Sequence, residues 1–160
     1  EVRVPHETEA VAAALADLKA KGADLLLVFG ASAIVDRGDV IPAGLEAAGG
    51  KIHQLGMPVD PGNLLLIGDY RGTPVIGAPG CARSPKENGF DWVLQRLLAG
   101  IEVTREDITG MGVGGLLMEI ESRPQPRAVV EVDAQAPKVA AILLAAGQSR
   151  RMGGPNKLLE

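Results

Sequence analysis

The apolar positions change period along the chain. From residue 7 to 21 they return at Val11, Leu15 and Leu18, with Glu7 and Glu9 in the first turn and Lys19 and Lys21 in the last. That spacing and charge order predict a helix stopped by Gly22. After Asp24 the helical period vanishes: Leu25-Leu26-Leu27-Val28-Phe29 is an unbroken apolar run of strand length that ends at Gly30. Such a run suits a parallel strand buried on both faces. A loop from Gly30 to Asp39 then leads to a short helix over 40–48, closed by Gly49-Gly50.

A short strand is expected over 51–55. Asp60-Pro61-Gly62-Asn63 is a turn, and residues 64–67 and 74–76 read as a hairpin joined through 68–73. Beyond Pro79-Gly80, Ser84-Pro85-Lys86-Glu87 offers an N-cap, a first-turn proline and the glutamate of a capping box, so the next helix is expected to start at Pro85. Its stripe would be Phe90, Val93, Leu94, Leu97 and Leu98, with Gly100 as the stop. Thr104-Arg105-Glu106-Asp107 reads as another helix start, ahead of a glycine-rich stretch to Gly115. Residues 122–127, with two prolines and two arginines, mark a boundary; 129–133 suggest a short strand, and 134–137 are linker-like. Residues 139–144 are a buried strand that runs directly into Ala145-Ala146-Gly147 and a polar, basic loop.

Alternating helical and strand patterns predict an α/β fold, a three-layer sandwich around a mostly parallel sheet. Composition sharpens this: 46% of residues are apolar but only 2% aromatic, so the core is aliphatic. At 160 residues the chain holds one ordinary domain and at most part of another. The expected division is a domain over 1–127, a linker over 128–137, and the opening fragment of a second domain over 138–160. A net charge of −4 argues against a nucleic-acid partner, which calls for a clustered basic face. Cys81 is the only cysteine, which excludes an intrachain disulfide and makes a reducing cytoplasm the natural compartment. No apolar run approaches the roughly 18 residues of a membrane span, and the first residues are not a signal peptide. The sequence starts without Met and reads as a piece of a longer protein.

Three segments can carry chemistry. In the loop after residue 29, Gly30, Ala31 and Ser32 are small enough for close backbone approach, and Asp36 and Asp39 could hold a cation or a ligand hydroxyl. The bland alternative is a solvated turn whose carboxylates only favour the next helix. Pro79-Gly80-Cys81-Ala82-Arg83-Ser84 lies between a strand and a helix start, where free N–H groups and Arg83 suit a phosphate, unless it is a plain structural turn. The third segment, residues 144–157, combines small residues, a glycine-rich loop, paired arginines and Lys157. There the backbone can approach a nucleotide while Arg151 and Lys157 neutralise a triphosphate. Gly110, Gly112 and Gly115 fit a dinucleotide fingerprint formally, but no strand precedes them. His6, His53 and Cys81 lack metal-ligand spacing, so no metal site is assigned.

The segment Leu144-Ala145-Ala146-Gly147-Gln148-Ser149-Arg150-Arg151-Met152-Gly153, with Lys157, resembles the nucleotide loop of nucleotidyltransferases that mature the molybdenum cofactor; cytidylyltransferases of isoprenoid synthesis carry a related loop. The resemblance implies that 138–160 opens a Rossmann-like domain in which Ala145, Ala146 and Gly147 line the nucleotide and Arg151 and Lys157 contact phosphate. Residues 7–100 resemble the molybdopterin-binding domain of molybdenum cofactor biosynthesis. The carriers are Gly30-Ala31-Ser32, Asp36, the run from Met57 to Asn63, and the run from Pro74 to Gly80. This likeness implies a pterin and phosphate site made by Gly30, Ala31, Ser32, Asp39, Pro79, Gly80, Cys81, Arg83 and Ser84. Registering the loop on Gly30 gives Asp36 the family's catalytic aspartate; shifting it by a few residues selects Asp39. Ala31 stands where the family has glycine, and Cys81 where it has asparagine, which favours binding or presentation of the pterin over catalysis.

Together the likenesses imply molybdopterin as ligand, and a longer protein that moves CMP from CTP, with Mg²⁺, onto the cofactor phosphate. This chain alone is expected to be inactive, and to form homo-oligomers as relatives do. The competing readings are a cytidylyltransferase for a methylerythritol phosphate and a noncatalytic module that senses the cofactor.

Overall fold

The computed structural model describes residues 1–113 and 139–144. The strands are β1 (Val2–Val4), β2 (Leu25–Phe29), β3 (Lys51–Leu55), β4 (Leu66–Tyr70), β5 (Thr73–Ala78) and β6 (Val139–Leu144). They form one six-stranded sheet in the order β1-β6-β2-β5-β4-β3. β1, β6, β2 and β5 are parallel, whereas β4 runs against both β5 and β3. The sheet is therefore mixed, in an α/β fold.

The alternation along each strand divides the core. Leu26, Val28, Leu66, Val75 and Ile142 pack with Val11, Leu15 and Leu18 of α1 (Thr8–Ala20) and with Ile41 and Leu45 of α2 (Val40–Ala47). Leu25, Leu27, Ile67 and Ile76 point the other way, onto Phe90 and Val93 of α3 (Gly89–Leu98) and Ile108 of α4 (Arg105–Gly110). Helices thus cover both faces, and each fully buried aliphatic side chain contributes about 1.5–3 kcal/mol. On the first face Lys19 of α1 also donates to the buried Thr73 hydroxyl of β5.

Two elements differ from their sequence expectation. The hairpin strands extend through 68–70 and meet at a turn on Arg71 and Gly72, with Tyr70 paired to Thr73. Burial explains it: Tyr70 is 2% exposed, and the Asp69 carboxylate accepts from Gly72 N–H at 3.0 Å, which tightens the turn one pair further out. The third long helix begins at Gly89, not Pro85. Its cap is Asn88, whose side chain accepts from Phe90 N–H while Asp91 accepts from Asn88 N–H. Residues 80–83 form instead a 3₁₀ turn, and the Ser84 hydroxyl accepts from Lys86 N–H.

The strand expected to open a second domain, Val139–Leu144, lies within this same sheet, between β1 and β2. The linker at 128–137, the strand expected over 129–133, Gly115, and the loop residues Ala145, Ala146, Gly147, Arg151 and Lys157 lie outside the described residues.

Candidate functional site

Parallel pairing brings the first two candidate segments together. Phe29 is in register with Ala78, so Gly30 and Pro79 leave neighbouring strands side by side at their carboxyl ends. Open α/β sheets place ligands at that edge. Arg83 ties the two loops: its Nη2 donates to the Gly30 carbonyl at 2.8 Å. A guanidinium has five N–H donors in a fixed fork, so a bond to one carbonyl also orients the rest of the group.

The first loop is folded on its own carboxylates. Asp39 precedes α2, but its carboxylate turns back to accept from Val35 N–H at 2.6 Å and Asp36 N–H at 3.0 Å. Asp36 accepts from Gly38 N–H at 2.5 Å, closing a tight local turn. Ala31, Ser32 and Asp36 are exposed at the rim, and Gly30 is half-buried. Beneath them Ile34 is buried and Val35 points to solvent.

The N–H groups of Asp36 and then Val35 hold the Asp39 carboxyl below its ordinary range, against a smaller opposing effect of burial and with slight help from His6. A carboxyl with a lowered folded pKa adds stability above its unfolded value, about 3.9, and that stability is lost as pH falls through the lowered value. Wild type should therefore exceed Asp39→Asn in stability at neutral pH, with the gap closing below about pH 4. Urea unfolding of both proteins across that range checks it; a gap that persists unchanged in acid contradicts the assignment. Asp107, held low mainly by Thr104 N–H, has the same direction in both proteins and cancels.

The second loop is more enclosed. Pro79 is buried, Gly80 and Arg83 are exposed, and Cys81 and Ser84 are intermediate. Cys81 faces inward, its Sγ 3.9 Å from Asn88 Oδ1. The N–H groups expected at a helix start beside Ser84 are not arranged that way, because the helix begins at the buried Gly89. What remains for an anion is the Arg83 guanidinium with the rim of the Gly30 loop.

Sequence reasoning missed two residues here, Ile34 and Asn88. An isoleucine among small and polar loop residues was a readable signal. For Asn88 the signal was a second capping box, Asn88-Gly89-Phe90-Asp91, directly after the first.

Elsewhere, His53, Asp69, Pro74, Leu97, Ile101 and Val103 line a cavity of about 360 Å³ toward the amino-terminal end of β5. Neither candidate loop reaches it. Among the described residues no three His, Cys, Asp or Glu side chains gather as a metal site, and no helix is long and apolar enough to cross a membrane. No family model, curated protein or solved structure matches the chain.

Proposed function

We propose that the chain binds a phosphorylated pterin of the molybdopterin type in the crevice between the loops at 30–39 and 79–84. It does so as part of a protein that transfers a nucleotide, CMP from CTP, to the cofactor phosphate. The observation that supports this most is the Arg83 to Gly30 hydrogen bond, which sets a cation beside small residues at the carboxyl ends of adjacent parallel strands. A phosphate suits the guanidinium fork, and the ring nitrogens of a pterin suit carboxylate acceptors such as Asp36. In this reading the cofactor phosphate attacks the α-phosphate of CTP and pyrophosphate leaves, with catalysis mainly by positioning and charge neutralisation. The transfer half of the proposal rests on the sequence of residues 145–157 alone.

The test is calorimetric titration of the chain with molybdopterin and, separately, with CTP and Mg²⁺. Molybdopterin should bind, CTP hardly at all, and Asp36→Ala should weaken the pterin about tenfold. A folded sample that ignores molybdopterin refutes the proposal; if it binds CTP instead, an isoprenoid-type transferase becomes the better reading.

A further inference from the structure

One side chain shapes the Arg83 loop from beneath. Asn88 is fully buried. Its Nδ2 donates to the carbonyls of Cys81 at 3.1 Å and Lys86 at 3.2 Å. Its Oδ1 accepts from Phe90 N–H at 3.2 Å, and its own N–H donates to Asp91 Oδ2 at 2.8 Å. A carboxamide has two donor hydrogens. Here they grip carbonyls on either side of Arg83, so one buried group spans the loop, beside the Trp92 indole that donates to Glu87 at 2.9 Å. Displacing either carbonyl would strand a polar hydrogen in the interior, which opposes movement far more strongly than a surface contact does. The same residue caps α3, so the loop is registered to a packed helix.

We propose that Asn88 is the positioning residue of the crevice: by holding the carbonyls of Cys81 and Lys86 it fixes the 80–87 loop so that Arg83 meets the ligand's phosphate already oriented against Gly30. This rests on the reading of the crevice as a phosphorylated-pterin site. An exposed arginine on a loose loop would lose conformational freedom on binding; on a held loop it loses less, and the difference appears as affinity.

Asn88→Ser tests it. Serine caps helices about as well as asparagine, but it lacks the carboxamide that spans both carbonyls. Molybdopterin affinity should fall about tenfold in the otherwise native chain. In an Arg83→Ala chain the same substitution should leave the remaining affinity unchanged, because its effect runs through Arg83. Equal losses in both backgrounds, or no loss in the native one, overturn the positioning role. Absence of binding by the native chain overturns the crevice reading, and this inference with it. A second measurement needs no Asn88 variant: in Arg83→Ala, hydrogen exchange at Ala82, Ser84, Lys86 and Asn88, whose amides all donate locally, should stay as slow as in the native chain. Exchange at open-loop rates would mean that Arg83 holds the loop rather than being held by it.

Discussion

Ile34→Ala is expected to lower stability by about 2–5 kcal/mol and to weaken the proposed molybdopterin binding, while its neighbour Val35→Ala stays within about 0.5 kcal/mol. The two side chains differ in exposure, 2% against 71%. Ile34 reaches down from the Gly30–Asp39 loop into the cluster formed with Val28, Ile41 and Leu66. The sheet makes room for it at Gly77 of β5, where a Cβ would lie 2.7 Å from Ile34 Cδ1. Truncation removes the apolar anchor of the loop and leaves a void over that bare position. The carboxylate turns of Asp36 and Asp39 remain, but they are local to the loop and cannot hold it to the sheet. Urea unfolding and calorimetric titration of both variants check this. Equal effects of the two substitutions would show that Ile34 does not anchor the loop.

Those residues also show where sequence reading succeeds and stops. α1, β2, α2 and β3 follow from periodicity and end signals that lie within each segment, and the structure has them within a residue or two. The start of α3 does not, because two capping boxes four residues apart compete and local rules favour the first, which also has Pro85 at its first helical position. Tertiary packing decides: Gly89 N–H donates to the Pro61 carbonyl at 2.9 Å, and Asn88 is buried against the loop, so the second box wins. Tyr70 is similar. Turn-forming neighbours disguise it as loop, and only its burial draws 68–70 into β4. Strand order is less legible still, since nothing local in Val139–Leu144 tells that it pairs between β1 and β2.

The candidate site divides the same way. Small residues after a buried strand, and an arginine after Pro-Gly, pointed to both loops. That the loops are neighbours depends on the register of β2 with β5, and that they are joined depends on one long-range hydrogen bond. The supporting residues Ile34 and Asn88 are marked in the sequence only as an apolar loop residue and a capping box, not as parts of a site. Their importance comes from what they touch.

Gly62→Ala is expected to cost between about 2 and 6 kcal/mol, whereas Gly100→Ala should cost about 1 kcal/mol. Both glycines have positive φ, 125° and 73°, so both substitutions strain the backbone. They differ in surroundings. A Cβ at Gly100 meets nothing within 4 Å, but one at Gly62 would lie 2.8 Å from Gly89 Cα and 2.9 Å from Gly89 N. Backbone cannot rotate aside as a side chain does, so the start of α3 must shift, breaking the Gly89 to Pro61 bond and disturbing the Asn88 cap. The run from Met57 to Asn63 therefore acts as a seat for α3, and through Asn88 for the Arg83 loop. Gly62→Ala should consequently lower the proposed affinity for molybdopterin at temperatures where the variant is still folded, and Gly100→Ala should not. Thermal unfolding paired with titration separates the two effects. A Gly62→Ala chain as stable as Gly100→Ala would mean that α3 is not seated on this segment.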